Sequence, residues 1–369
     1  MNFEELGIPA DFIKGLNEIG IKKPTEIQEK AIPLLLEWNS DIIGQAQTGT
    51  GKTAAFGLPL LAGIDPSLNE VQALVLAPTR ELGQQIAKQF FKFTKYTDKI
   101  FTEAVYGGEK IDIQINRLKR PTHVIVATPG RLKDLLLRNA VDISNIKLVV
   151  LDEADEMLSM GFKEDLKAIL NKTPKGRNVW LFSATMPAAL EEIISNYIRK
   201  NAPKIQIDKA NSVNKDINHQ FVSVDDNEKL DTLTYFLKSQ AKNRGIIFTK
   251  TKVAARTLSK QLLAKNYEVG LLEGDMLQKE RDKVMRAFKN KKLRVLISTD
   301  VAARGIDVDN LSFVVHYQLP DQIEYYTHRS GRTARAGNKG ISLALVNPFE
   351  LKDLKKMEKT LNIHFSRIR

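Results

Sequence analysis

Short apolar runs recur along the chain and alternate with stretches of helical periodicity. The runs occupy residues 41–46, 73–78, 123–129, 147–153, 179–185, 245–250, 269–274, 294–300, 313–319 and 341–347. Each run is nearly continuous in apolar residues, as expected for strands that are buried on both faces of a parallel sheet. The stretches 81–95 and 278–289 show a helical period. Alternating strands and helices predict an α/β fold with parallel sheets flanked by helices.

A polar stretch over residues 208–216 separates the first five runs from the last five. A chain of 369 residues has the length of two ordinary domains. We therefore predict an N-terminal domain over residues 1–208, a linker over 209–216 and a C-terminal domain over 217–369.

The composition is that of a soluble globular protein, with 43% apolar and 27% charged residues. No apolar run approaches the roughly 20 residues that span a bilayer. The N-terminus lacks the basic and apolar regions of a secretion signal. The absence of cysteine excludes disulfides and thiolate metal sites and fits a reducing compartment. We expect a cytoplasmic protein without membrane contact.

Positive charge is concentrated in the second half of the chain. The net charge is +12, and residues 211–369 carry 29 basic against 18 acidic side chains, whereas residues 1–210 carry 27 against 26. This asymmetry is typical of a half that binds a polyanion, although a merely basic, solvated surface explains it equally well.

The segment AQTGTGKT, residues 46–53, follows the first run and precedes a helical pattern. Its glycines let backbone N–H groups curl around phosphate oxygens, and the next helix directs its positive end to the same anion. The spacing places Lys52 at the β- and γ-phosphates and Thr53 at Mg²⁺. The alternative is a Gly/Thr-rich turn, which the flanking strand and helix patterns disfavour.

An acidic cluster, Asp152-Glu153-Ala154-Asp155, ends another apolar run. A carboxylate at the end of a buried strand can hold Mg²⁺ on a nucleotide, and its neighbour can orient or deprotonate the attacking water. Taken alone, the cluster is more typical of an acidic first helical turn than of a catalytic site. Its position about a hundred residues after the phosphate loop favours the catalytic interpretation.

The second half has no phosphate loop but contains the basic segment HRSGRTARAG, residues 328–337. Guanidinium groups suit bidentate contact with phosphate oxygens, and an arginine finger at a γ-phosphate raises the rate by about 10³–10⁵. Arg332 and Arg335 would share one face if this segment were helical. Without the phosphate loop in the first half, a solvated basic loop would be the better interpretation.

Together these segments resemble the DEAD-box RNA helicase family, in particular its bacterial cold-shock-type core, from Phe3 to about Val346. The resemblance extends to further segments of the chain, which are residues 20–28, 78–85, 107–108, 128–131, 183–185, 278–281 and 298–307, together with Phe248. It implies two tandem RecA-like domains. Four residues depart from the common family pattern: Ile21, Gly83, Ser330 and Ala334.

The resemblance assigns roles residue by residue. The catalytic group would comprise Lys52, Asp152, Glu153, His328, Arg332 and Arg335. ATP would contact Ile21, Gln28, Ala46, Gln47, Thr48, Gly49, Thr50, Gly51, Lys52, Thr53, Gly305 and Asp307, with Mg²⁺ held by Thr53 and Asp152, partly through water. RNA would contact Pro78, Thr79, Arg80, Gly107, Gly108, Thr128, Arg131, Gln278, Arg281, Thr299 and Asp300. Hydrolysis would be coupled to strand separation through Asp155, Ser183, Ala184 and Thr185.

The function implied by the resemblance is RNA-stimulated ATP hydrolysis, in which two domains close and open on RNA and separate short duplexes. Few aromatic residues lie in the RNA segments, which favours sequence-independent backbone binding over base stacking. An ATP-gated RNA clamp shares every site residue and stays open as an alternative, whereas a DNA translocase is disfavoured by Gln28 and the PTREL segment. We expect a monomer that works with RNA-processing or ribosome-assembly proteins.

Overall fold

The computed structural model describes residues 1–47, 49–207, 214–303, 308, 311–334 and 338–368. The chain forms two compact units, Met1–Ala210 and Asn211–Arg369. The boundary between them falls within the polar stretch 208–216, of which residues 208–213 lie outside the described part. The predicted linker therefore stays a prediction.

The N-terminal unit contains a seven-stranded, all-parallel sheet in the order β3-β4-β2-β5-β6-β1-β7. Its strands are β1 (Ile42–Gln45), β2 (Ala73–Leu76), β3 (Thr102–Val105), β4 (Val124–Ala127), β5 (Leu148–Asp152), β6 (Asn178–Ser183) and β7 (Lys204–Gln206). Its helices are α1 (Ala10–Glu18), α2 (Glu26–Leu35), α3 (Lys52–Ala62), α4 (Arg80–Phe93), α5 (Ile111–Leu118), α6 (Pro129–Leu137), α7 (Ala154–Ser159), α8 (Lys163–Lys172) and α9 (Ala188–Tyr197).

The C-terminal unit repeats this architecture, with the strand order β10-β11-β9-β12-β13-β8-β14. Its strands are β8 (Ile217–Ser223), β9 (Gly245–Thr249), β10 (Val269–Leu272), β11 (Val295–Thr299), β12 (Phe313–His316), β13 (Gly340–Val346) and β14 (Ser366–Arg367). Its helices are α10 (Lys229–Ser239), α11 (Lys252–Ala264), α12 (Gln278–Lys289), α13 (Asp300–Ala303), α14 (Ile323–Ser330), the 3₁₀ helix Pro348–Glu350 and α15 (Leu351–Leu361).

Both sheets are covered by apolar side chains on both faces. Along β5, Leu148 and Val150 join one buried cluster, whereas Val149 and Leu151 join the cluster on the other face. This alternation follows from the two-residue period of a strand. The predicted fold class, parallel sheets flanked by helices, is therefore confirmed for each unit. In the described part of the chain, no helix is both long and apolar enough to cross a membrane.

Of the fourteen strands in the described part of the chain, ten coincide with the predicted apolar runs, and the apolar pattern did not predict the other four. Of these four, β3, β7 and β14 are edge strands, and β8 lies next to an edge. Edge strands are partly exposed and carry polar side chains, so their sequences lack a continuous apolar run. The predicted helices over 81–95 and 278–289 correspond to α4 and α12.

Candidate functional sites

Strand order sorts the predicted segments of the N-terminal unit into two groups. The neighbouring strands β5, β6 and β1 lead into residues 152–155, 183–185 and 46–53, which we call the nucleotide group. The neighbouring strands β3, β4 and β2 lead into residues 107–108, 128–131 and 78–80, which we call the RNA group. Because all strands are parallel, both groups lie at the carboxyl edge of the sheet, where open α/β sheets bind ligands.

The phosphate loop ends in a left-handed turn that directs α3 toward the loop. Gly51 has φ +94° and is the cap of α3, a backbone conformation that side-chain-bearing residues rarely adopt. Lys52 begins the helix and is only 6% exposed. Its Nζ donates to the carbonyl of Ala46 at 2.8 Å, so the ammonium lies inside the loop. Thr48 lies outside the described residues.

Gln28 is attached to the phosphate loop. Its Nε2 donates to the Gly51 carbonyl at 2.9 Å, and its Oε1 accepts from the Thr25 N–H at 2.9 Å. The side chain is buried, and a Cβ on Gly51 would collide with it. The amide therefore joins α2 to the loop, while its predicted contact with adenine stays a prediction. Ile21 packs against the apolar core of the unit.

Asp152 and Glu153 form a sharp junction between β5 and α7. Burial raises the pKa of Asp152 to about 7; the neighbouring Glu153 charge contributes, and Lys52 opposes the increase. Glu153 has φ +51°, a left-handed conformation that costs about 1–2 kcal/mol in a residue other than glycine. Its N–H donates to Asp152 Oδ1 at 3.0 Å. Strain of this kind is typical of functional turns.

Asp155 connects the acidic segment to residues 183–185. Its Oδ2 accepts from the Thr185 N–H at 2.8 Å and from the Thr185 hydroxyl at 2.7 Å. Its own N–H donates to Ser183 Oγ at 3.3 Å. Burial by itself would raise the pKa of Asp155, but these hydrogen bonds and the Lys52 charge hold it below its ordinary value. These hydrogen bonds join the acidic segment to residues 183–185.

The donors at this edge suit Mg²⁺ bound to a nucleotide. Mg²⁺ prefers hard oxygen ligands and is usually held by one or two carboxylates together with substrate phosphates. The Asp152 carboxylate ends β5, and Thr53 lies in the first turn of α3. Within the described ranges, no group of three or more acidic or imidazole side chains forms a separate metal site.

In the RNA group, threonines begin helices and glycines expose backbone. Thr79 is the N-cap of α4, where its hydroxyl accepts from the Leu82 N–H at 3.3 Å. Thr128 is the N-cap of α6. Gly108 has φ +82°, and a Cβ on Gly107 would meet no atom within 4 Å. The carboxyl edge of the sheet therefore exposes backbone groups and helix N-termini, which can bind phosphate groups. Pro78 precedes the Thr79 cap.

Two arginines of the RNA group are positioned by neighbouring residues. The Arg80 guanidinium lies over the Tyr106 ring, 4.6 Å from its centroid. Arg131 donates to the Glu109 carbonyl at 3.0 Å. The cation–π contact positions Arg80, whose RNA contact stays a prediction. Tyr106 and Glu109 were missed by the sequence interpretation, although an aromatic residue directly before Gly107-Gly108 was a usable signal.

The C-terminal unit shows the same ordering. The neighbouring strands β10 and β11 lead into the predicted RNA contacts of this unit: β10 precedes Gln278 and Arg281, and β11 ends at Thr299, directly before Asp300. Arg281 donates to the Ala302 carbonyl at 2.6 Å and thereby ties α12 to α13. Gly305 and Asp307, predicted to contact ATP, lie outside the described residues.

Arg329 is fully buried and serves the fold of the C-terminal unit. Its Nε and one terminal nitrogen donate to the two carboxylate oxygens of Asp300 at 2.5 and 2.7 Å. The second terminal nitrogen donates to the Gln318 carbonyl at 2.8 Å. The guanidinium also lies over the Phe248 ring, 5.0 Å from its centroid. Asp300, predicted to contact RNA, is thus engaged by an arginine of its own unit.

The helical arrangement considered for the basic segment is not found at Arg332. Helix α14 ends at Ser330, and Arg332 follows the Gly331 cap. Arg335 lies outside the described residues, so a shared face of Arg332 and Arg335 has no support. His328 lies in the last turn of α14, where its ring contacts Tyr325.

A buried polar network joins α14 to the strands β8, β12 and β13. His316 Nε2 lies 3.3 Å from Ser330 Oγ and 3.1 Å from Ser342 Oγ. The Tyr326 hydroxyl contacts Ser342 Oγ at 3.1 Å and His219 Nδ1 at 2.6 Å. Ser330, which departs from the family pattern, therefore has polar partners in the core. No sequence signal indicated this network, because its members come from four separate elements.

The free energy of unfolding of the C-terminal unit is expected to fall as the pH is lowered from about 6.5 toward 4. Burial lowers the pKa of His219 to about 4 and that of His316 well below its ordinary value, with Arg329 adding to the effect at His316. The unfolded chain binds these protons near pH 6.5 and the folded unit does not, so stability is complete above that pH. Protonation of His219 alone should lower the free energy of unfolding by about 3 kcal/mol. Hydrogen exchange of the β12 and β13 amides in the full chain measures this loss.

Replacing His219 by glutamine should make the acid-induced loss shallower. His364→Gln is the control, because that imidazole is 86% exposed. Identical pH dependence in the two variants would contradict the assignment to His219.

Comparisons with known proteins agree with this geometry. Residues 25–193 match the family model of the DEAD/DEAH box helicases. Residues 228–337 match the model of the helicase conserved C-terminal domain. A relative named ATP-dependent RNA helicase CshA, from Limosilactobacillus reuteri, is 42% identical over 365 residues, which cover 98% of this chain and 72% of that protein. The chain therefore belongs to the DEAD-box family of ATP-dependent RNA helicases.

Solved structures with the same fold include two complexes with RNA. Dbp5 from S. cerevisiae bound to RNA and ADP BeF3 has a TM-score of 0.90 and 34% identity, covering 99% of this chain and 95% of that one. Mss116p bound to single-stranded RNA and AMP-PNP has a TM-score of 0.85 and 27% identity, covering 99% of this chain and 78% of that one. These similarities identify the two units as tandem RecA-like domains.

Proposed function

We propose that the chain is an RNA-stimulated ATP hydrolase whose two units close on RNA with ATP bound and separate short duplexes locally. The observation that carries this proposal is the order of strands in the N-terminal sheet. It puts the nucleotide group and the RNA group next to each other at one edge. The helicase relatives and the RNA-bound Dbp5 structure support the same function.

The nucleotide group would perform the hydrolysis. Lys52 would exchange the Ala46 carbonyl for the β- and γ-phosphates, and backbone N–H groups of the loop would hold the remaining oxygens. Asp152 and Thr53 would hold Mg²⁺, which neutralises phosphate charge when bound. Glu153, attached to Asp152 through its N–H, would orient the attacking water and accept its proton.

Coupling to RNA would run through Asp155. Its hydrogen bonds to Thr185 would make the acidic segment and residues 183–185 move together. Ala184 lies between Ser183 and Thr185 and is itself buried. A change at the γ-phosphate would therefore shift the end of β6 as well as the end of β5.

The C-terminal unit would complete the nucleotide site. Arg332, Arg335 and His328 would face the γ-phosphate, with Gly305 and Asp307 on the nucleoside. Closure would then be driven by the stronger binding of ATP to the closed state, with residues 209–216 as the linker. Arg329 is not available for this role because Asp300 holds it.

RNA would be held mainly by its backbone. The RNA group and residues 278–281 present helix N-termini, hydroxyls and guanidinium groups rather than aromatic faces. A cytoplasmic monomer that works with RNA-processing or ribosome-assembly proteins completes the proposal. That part is supported by the cysteine-free sequence and the family alone.

ATP turnover measured with single-stranded RNA, duplex RNA, DNA and no nucleic acid tests this function. We expect clear stimulation by RNA and little by DNA. Arg332→Ala should lower the RNA-stimulated rate by about 10³-fold or more, because it removes charge stabilisation at the γ-phosphate. The ATP affinity of the full chain should change little, since the phosphate loop supplies most of the ground-state contacts.

Turnover that does not respond to RNA would refute the proposed function. Strand displacement measured beside RNA residence time separates unwinding from clamping: long residence with negligible displacement would favour the clamp. An unchanged rate in Arg332→Ala would remove this arginine from the site.

A further inference from the structure

Helix α12 carries three basic side chains on one exposed face. Lys279, Lys283 and Arg286 are spaced at i, i+4 and i+7, and all three are exposed; we call them the α12 stripe. This spacing places them on one side of the helix over about 10 Å. None of them forms an ion pair with any residue that the structure describes. The stripe is thus available to an anion in solution.

Neighbouring basic side chains on α11 behave differently. Arg256 contacts Glu273 at 2.5 Å and Asp275 at 3.1 Å, and Lys252 also pairs with Asp275. These acidic residues lie between β10 and α12, so α11 uses the acidic charge closest to the start of α12. The difference leaves a local excess of positive charge on α12.

Helix stability does not account for the two lysines of the α12 stripe, although Arg286 lies in the last turn, where a cation is favourable. Cations stabilise a helix at its carboxyl end and are unfavourable near its N-terminus. Lys279 lies in the first turn, and Lys283 lies in the first half of α12. The acidic side chains of the helix are engaged at its start: Glu280 accepts from the Leu277 N–H at 3.2 Å, and Asp282 accepts from Gln278 at 2.8 Å.

The position of the α12 stripe indicates its ligand. It begins at Lys279, directly after Gln278, on the face of α12 beside the one that carries Gln278 and Arg281, so it flanks the predicted RNA contacts of this unit. Residues 278–294 contain eight basic and two acidic side chains, a net charge of +6. Phosphates of one nucleic-acid strand follow one another at intervals of a few ångströms, so a stripe of about 10 Å can contact successive phosphates.

We propose that the α12 stripe is an additional RNA-binding surface, which takes phosphates of the strand beyond those held by residues 278–281 and 299–300. This inference rests on the proposed RNA-binding function. The contacts are electrostatic and independent of sequence, because lysine and arginine on an open helix face reach phosphates but no base edge.

The test is the salt dependence of RNA affinity in the full chain with a non-hydrolysable ATP analogue. The variant is Lys279→Gln, Lys283→Gln and Arg286→Gln together, since glutamine keeps helix propensity. Loss of three phosphate contacts reduces the slope of log affinity against log salt by about 2 for single strands. Between about 50 and 200 mM salt, wild-type affinity should therefore fall about 20-fold more than that of the variant.

RNA length locates the contact. Two uniform single strands are compared, one of about 6 nucleotides, near the lower limit of single-strand site sizes, and one of about 20. The variant should bind the short strand like the wild type and lose the additional affinity for the long one. Circular dichroism checks that both proteins are folded.

The chain offers a matched control on α15. Lys352, Lys356 and Lys359 have the same spacing, are exposed and form no ion pair with any described residue. Helix α15 packs against β8 and β13, at the end of the sheet away from β10. Replacing these three lysines by glutamine should leave the salt slope and length dependence near wild type.

Equal effects of the α12 and α15 variants, or no effect of either, would overturn the inference while leaving the proposed function intact. A wild-type chain that binds neither RNA would overturn both. RNA-stimulated ATP turnover of the wild type, measured in the same buffer, distinguishes these results.

Discussion

Glu153→Gln should lower ATP turnover by about 10²–10⁴-fold while ATP and RNA binding persist. Glutamine keeps the size and polarity of the side chain but cannot accept the proton of the attacking water. The junction between β5 and α7 should stay intact, because the hydrogen bond to Asp152 comes from the backbone N–H of residue 153. Single-turnover hydrolysis, measured beside equilibrium binding of ATP and RNA, separates loss of chemistry from loss of affinity.

Glu156→Gln is the matched control for this prediction. It removes a carboxylate three residues further on, within the short helix that Glu153 caps, and the Glu156 side chain is buried whereas that of Glu153 is half-buried. Glu156 has no assigned role in hydrolysis, so its variant should retain turnover near wild type. Wild-type rates in Glu153→Gln would exclude this residue as the base.

Arg329→Met should destabilise the C-terminal unit by about 3–5 kcal/mol, because it leaves the Asp300 carboxylate without its bidentate partner. The guanidinium is 1% exposed, so solvent screens the interaction little. Denaturant unfolding of the full chain, followed by hydrogen exchange at β11 and β12, measures the loss. Arg329→Lys should recover only part of it, since an ammonium cannot make two parallel hydrogen bonds.

An exposed ion pair of the same unit is the comparison. Lys250 contacts Asp321 at 2.7 Å, but the two side chains are 35% and 79% exposed. Lys250→Met should therefore lower the free energy of unfolding by less than about 1 kcal/mol. The double change Arg329→Met and Asp300→Asn should lower the free energy of unfolding by less than the sum of the two single changes, because no unpaired charge is left buried. Equal losses in Arg329→Met and Lys250→Met would contradict the structural role.

Prediction of the fold from the sequence succeeded where strands are buried on both faces. Residues 148–151 of the run 147–153 are all apolar because β5 has neighbours on both sides and apolar clusters on both faces. At the sheet edges this signal fails. The residues of β7 alternate between exposed and buried, and those of β14 are exposed, so neither strand stands out from a loop.

The chemistry of the nucleotide group was readable from short segments because its parts are close in sequence. Lys52 and Thr53 follow the glycines of their own loop, and Glu153 follows Asp152 directly. Local spacing is sufficient for such groups, since a strand end and a helix start position them together.

The sequence by itself determined the two α/β units, the phosphate loop, the acidic strand end and the family. Only the tertiary structure decided which basic side chains are structural and which are exposed. Arg329 and Asp300 are 29 residues apart and meet because β11 and β12 lie on either side of β9, with α14 folding back toward β11. Ser330 likewise acquires its partners from β12 and β13. The physical reason is that burial and pairing depend on the side chains that strand order brings together, and spacing along the chain does not specify that order.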